Sequence, residues 1–68
     1  MGVWTHTPGV STDVEVDELS VIVSGEATVV INETETVHLL PGTLLRLHEG
    51  DRTVWTVIET LRKVYVIE

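Results

Sequence analysis

Residues 14–24, Val-Glu-Val-Asp-Glu-Leu-Ser-Val-Ile-Val-Ser, begin with strict apolar/polar alternation and continue into a β-branched run, the pattern of a half-buried strand. Gly25 reads as its end. A second β-branched run, residues 27–31, is followed by the polar stretch Asn32-Glu33-Thr34-Glu35 and by residues 37–40, which together predict a hairpin. Pro41-Gly42 predicts a tight turn into a short strand over 43–48, closed by Gly50-Asp51. Residues 53–58 and 61–67 are two further strand candidates on either side of Glu59-Thr60, and residues 2–7 form a first strand ended by Pro8-Gly9. No segment carries helical periodicity. About seven short strands at spacings of roughly eight to twelve residues predict an all-β sandwich or small barrel. Exposed strand edges favour pairing with other chains, so barrel closure or edge pairing in a dimer is expected.

The chain is 68 residues long, enough for one domain over residues 1–68, with no linker, repeat or low-complexity segment dividing it. A domain this small buries only about 60% of the surface its unfolded chain exposes, and it has no cysteine to staple it. A metal or a partner chain is the remaining external support. Phe is absent, and Trp4, Trp55 and Tyr65 are the only aromatic residues, so the expected core is aliphatic. The net charge of −7 repels a phosphate backbone and anionic lipid, so neither nucleic acid nor a membrane surface is an expected partner. The Met1-Gly2-Val3-Trp4 start has no basic segment followed by an apolar one, and with no cysteine present the expected location is the cytoplasm.

Acidic residues dominate the first half of the chain, from Asp13 to Glu35, whereas Arg46, Arg52, Arg62 and Lys63 all come later. Glu18, followed by six residues and Gly25, matches the end of the first cupin motif. Gly42, followed by five residues and His48-Glu49-Gly50, matches the second, with His48 at the motif's proline. A wider frame comprises Gly2-Val3-Trp4, Thr7-Pro8-Gly9, Asp17-Glu18, Pro41-Gly42, Trp55 and the closing string from Glu59 to Val66. Through these residues the chain resembles the cupin superfamily, and within it the small group that includes the ureidoglycine aminohydrolases. The resemblance implies a minimal, jelly-roll-like cupin barrel of about seven antiparallel strands.

A cupin commonly holds a divalent transition metal with three histidines and one carboxylate. The resemblance places the carboxylate at Glu18 and the histidines at positions where this chain has Thr12, Val14 and Thr53. Valine offers no donor atom and threonine is a poor ligand for Mn, Fe, Ni, Cu or Zn, so the expectation is a degenerate site with no cofactor. Arg46 or Arg52 is the expected partner of Glu18. The leading expectation is a metal-free binding or structural cupin, a homodimer that takes a small polar metabolite beside Glu18, Ser20 and Trp55. The alternative is a metal-dependent enzyme, aminohydrolase-like, with its site relocated to His6, Glu18 and His48. His6 shares the face of Trp4 in the first strand, whereas His38 is expected at the surface. No serine or cysteine stands in a nucleophile motif, so no catalytic residue is assigned.

Overall fold

In the computed structural model, which describes residues 1–68, the chain is entirely β. Six strands form: β1 (Gly2–His6), β2 (Gly9–Val14), β3 (Glu18–Ile31), β4 (Glu35–Leu39), β5 (Leu44–Leu47) and β6 (Arg52–Ile67). All pair antiparallel. No helix is long and apolar enough to cross a membrane.

The expected count of about seven short strands is replaced by two long strands and four short ones. Gly25 and Glu59-Thr60, read from sequence as breaks, lie inside β3 and β6. The register between these two long strands slips at Ile22/Ser24, Ser24/Glu26 and Glu26/Ala27. A bulge adds local twist and bends a strand without ending it, so a glycine in a β-branched run marks a corner as readily as a terminus. Residues 9–14 form the strand that the sequence pattern missed, because Pro8-Gly9 looked like the end of one strand rather than the link between two.

The corner divides the sheet into two four-stranded halves. One half has the order β1-β6-β3-β5, using the C-terminal part of β6 and the N-terminal part of β3. The other has the order β2-β6-β3-β4, using the opposite ends of the same long strands. Their inner faces meet in a single hydrophobic core, aliphatic but for Trp55. Ile22, Leu45, Leu47 and Leu61 come from the first half, and Ala27, Val29, Ile31, Leu39, Trp55 and Val57 from the second. Four edges stay open, so the barrel does not close, but each edge strand is only four to six residues long, which limits its capacity to template another chain.

Turn chemistry fixes the register. Asn32 and Glu33 both have positive φ, and Thr34 donates its N–H to the Ile31 carbonyl, a type I′-like turn inside the three-residue loop between the paired Ile31 and Glu35. At the β5–β6 turn, Asp51 accepts from the His48 backbone N–H at 2.9 Å and from the Asn32 side-chain amide at 3.0 Å. The His48 backbone N–H, then the Asn32 amide, hold the Asp51 carboxyl below its ordinary range. A carboxyl lowered in the folded state stabilises above its unfolded value, about pH 4, and that support is lost as pH falls through the lowered value.

Candidate functional site

Strand alternation decides which side chains reach the interior at the open end of the fold. On β3, Glu18, Ser20 and Ile22 point inward, and on β6 so do Thr53, Trp55, Leu61, Lys63 and Tyr65. Trp4 of β1 pairs with Lys63 and shares its side. Gly2 pairs with Tyr65, and a Cβ at Gly2 would lie 2.6 Å from the Tyr65 ring, so the absence of a side chain there lets the ring cover β1. Of these, Trp4, Glu18, Trp55, Lys63 and Tyr65, together with Ile67 and the 13–16 segment, surround a cavity of about 290 Å³. That volume is at the lower limit of the roughly 300–1,000 Å³ typical of ligand pockets, the size for a metabolite.

A buried ion pair forms its floor. Lys63 Nζ donates to Glu18 Oε2 at 2.6 Å, and the two residues are 4% and 7% exposed. Lys63 stands beside Ile22, so its stem runs back past the Ser20–Tyr65 pair to reach Glu18. The ammonium lies 4.8 Å from the Trp4 ring centroid, 4.9 Å from that of Trp55 and 5.9 Å from that of Tyr65. The aromatic faces thus stabilise the cation on the sides the carboxylate does not cover. Trp4 and Trp55 meet across the fold with centroids 5.4 Å apart, joining the two halves at the cavity wall.

A second chain of hydrogen bonds runs along one side. Trp55 Nε1–H donates to Thr53 Oγ1 at 3.0 Å, and Thr53 O–H donates to Glu15 Oε2 at 2.6 Å. Indole can only donate, so the threonine oxygen accepts from it and its proton is free for the carboxylate. Glu15 is fixed further by its backbone, which exchanges bonds with Asp51 and Gly50.

Several sequence expectations are corrected here. Glu18 is paired with Lys63, not with Arg46 or Arg52; Arg46 bonds Glu68 at 2.8 Å, and Arg52 lies 4.0 Å from Glu33. Both arginines sit on outer faces, because alternation sends them away from the core. Thr12 and Val14 also point outward on β2, so Ser11 and Asp13 take the inner side. Glu15 is buried while Val14 and Val16 are largely exposed, the reverse of what their hydropathy suggests. Of the expected ligand residues, Glu18 and Trp55 line the cavity, whereas Ser20 lies beneath it and donates to the Leu45 carbonyl at 3.4 Å.

The relocated metal set does not assemble. His6 has both ring nitrogens engaged, Nδ1 with the Thr7 carbonyl and Nε2 with Ser11 Oγ at 2.8 Å. Since only N–H can face a carbonyl, Nε2 is left to accept from Ser11. His48 is on the exposed β5–β6 turn beside Asp51, and His38 bonds Glu26 at the surface. No three histidine, aspartate or glutamate side chains are grouped as a metal would require. The residues present therefore do not fit the metal that the cupin fold suggests: the one carboxylate at the expected position already holds an ammonium.

Residues 1–65 match the family model described as the EutQ-like cupin domain. The chain belongs to that family. Solved structures agree at the level of the cupin fold. A DUF861 family protein from Thermotoga maritima superposes with a TM-score of 0.89 at 22% identity, covering 98% of this chain and 77% of its own. A putative ethanolamine utilization protein Q from Salmonella typhimurium gives a TM-score of 0.82 at 19% identity over 97% of this cupin, which spans about half (54%) of that protein. A protein of unknown function from Vibrio parahaemolyticus gives 0.79 at 17% identity, with coverages of 93% and 69%. No curated protein matches the sequence.

Lys63 and Glu15 are the two site residues that sequence reasoning passed over. For Lys63 a signal was present: it stands two residues from Leu61 and from Tyr65 in an alternating strand, so it shares their inward face.

Proposed function

We propose that this cupin binds a small polar metabolite in the cavity between Trp4, Trp55 and Tyr65, without a resident transition metal. The observation that carries this reading is the Lys63–Glu18 pair. The carboxylate that other cupins offer to a metal is here neutralised by an ammonium at 2.6 Å, and three aromatic rings surround that ammonium. A metal would have to displace Lys63 and find further ligands where the chain has none grouped. The string from Thr60 to Val66, through which the chain resembles the ureidoglycine aminohydrolase group, supplies Lys63 and Tyr65 to the cavity, and that resemblance supports a kinship with the group without any hydrolytic chemistry. A screen of metabolite-sized polar compounds by amide NMR tests the reading. Shifts gathered at Trp4, Glu18, Trp55, Lys63 and Tyr65 are expected, and binders that perturb only the outer faces would refute it.

The same proposal includes a homodimer. On the outer side of the first half, Val3, Val64, Val21 and Leu44 form one cross-strand row, flanked by Leu19 and Val66. The other half instead places Thr12, Thr28, Thr36 and Thr56 among its outward residues. A row that is aliphatic across all four strands is suited to a two-fold contact with its own copy. Sedimentation is expected to give a dimer that Leu44→Glu dissociates while the monomer stays folded, since Leu44 is 68% exposed. A wild-type monomer at high concentration would remove this part of the proposal.

A further inference from the structure

We infer that the cavity selects an organic cation, a primary ammonium or guanidinium group carried on a short apolar body, with Glu15 as its counter-ion. This rests on the reading of the cavity as a binding site and adds the charge class of its ligand. The cavity is lined by three carboxylates, those of Asp13, Glu15 and Glu18, against one cation, Lys63. Lys63 is already spent: it is 4% exposed, bonded to Glu18 and enclosed by aromatic faces, so it offers little to an incoming anion. Glu15 is in the opposite state. It is 9% exposed, its side chain bonds only a neutral hydroxyl, and no cationic side chain pairs with it.

The hydrogen-bond chain fixes how Glu15 presents itself. Because Trp55 must donate to Thr53, the threonine proton is left for an acceptor, and Glu15 Oε2 at 2.6 Å is much nearer than the Asp13 carbonyl at 3.4 Å. Oε1 has no protein donor and belongs to a residue that lines the cavity. Oε1 keeps some solvent access, but a carboxylate only 9% exposed and without a counter-ion is poorly solvated, and a cationic ligand would relieve that cost. Asp13, at the exposed rim, adds a second negative group on the approach, and the net charge of −7 draws cations towards the molecule. Apolar side chains of Val16 and Ile67 border the same space and suit a short hydrocarbon body.

The test uses the full chain and four probes of similar length: n-butylammonium, n-butylguanidinium, butyrate and butan-1-ol. Trp4 and Trp55 both line the cavity, so intrinsic fluorescence reads occupancy. The two cations are expected to bind saturably and more tightly than butyrate or butanol. Glu15→Gln, which retains the volume and can still accept from Thr53, is expected to weaken the cations about tenfold or more, the scale of a lost bond to a charged group. Asp13→Asn, at the exposed rim where folding is not at stake, is expected to weaken them by a smaller factor, and Glu33→Gln, outside the cavity lining, not at all. Butyrate or butanol binding as tightly as the cations, or unchanged cation affinity in both Glu15→Gln and Asp13→Asn, would overturn the inference while leaving the cavity as a binding site. No fluorescence response to any of the four probes would count against both.

Discussion

Lys63→Met is expected to be among the most damaging single substitutions in this protein. It keeps the length and apolar character of the stem but leaves Glu18 as a buried carboxylate, 7% exposed, with no cation. Breaking a buried pair by removing one partner typically costs about 3–5 kcal/mol, because the remaining charge is stranded in low dielectric. A domain of this length is expected to have about 3–10 kcal/mol of stability in total, at roughly 0.05–0.15 kcal/mol per residue. The variant should therefore melt more than about 12 °C lower, at roughly 4–8 °C per kcal/mol for a small domain, or fail to fold. The double substitution Glu18→Met/Lys63→Met removes both charges together and should recover to within about 1–2 kcal/mol of wild type, since apolar replacement of a whole buried pair is often neutral or favourable. Denaturant melts of the single and double variants test this. A single variant as stable as wild type would mean that the pair is not the polar floor described here.

Gly25→Ala is expected to be comparably severe for a different reason. Gly25 has φ +93°, a region that L side chains rarely adopt, and a Cβ there would lie 2.7 Å from the Thr60 carbonyl carbon and 2.8 Å from Leu61 Cα. Both obstacles are backbone of the neighbouring long strand, so neither can move aside as a side chain would. Backbone strain of about 1–3 kcal/mol and overpacking of about 1–3 kcal/mol add at one point. The combined loss of about 2–6 kcal/mol falls on the corner where β3 and β6 turn between the two halves. Gly42→Ala is the control: its φ is also positive, but a Cβ there meets nothing, so only the strain part should appear. Thermal melts in which Gly25→Ala loses no more than Gly42→Ala would show that the corner is not tightly packed.

The contrast between these glycines explains what the sequence could and could not reveal about the fold. The alternation of Glu18, Ser20 and Ile22, the Asn32-Glu33 turn and the Pro41-Gly42 turn are local signals, and each is realised as read. Gly25 carries two messages that sequence alone does not separate, a strand end or a bulge, and only its approach to Thr60 decides between them. The site was legible to a similar extent. Glu18 and Trp55 were found through motif position and residue type, and both line the cavity. Lys63 was overlooked because a lysine in a strand is usually read as solvent-facing, although its spacing from Leu61 and Tyr65 places it inside. Glu15 was hidden by its neighbours: Val14 and Val16 invite the opposite facing, and the burial of Glu15 comes from its long-range bonds to Thr53, Gly50 and Asp51.

An ammonium, not a metal, satisfies Glu18, and metal content per chain reads this out. Protein purified without added metal, and again after exposure to Mn, Fe, Ni, Cu and Zn followed by desalting, would be measured by elemental mass spectrometry, with Glu18→Gln in parallel. Wild type is expected to retain far less than one metal per chain under every condition, with no difference from Glu18→Gln. Near-stoichiometric metal in wild type that disappears in Glu18→Gln would mean instead that the carboxylate releases Lys63 to serve as a ligand.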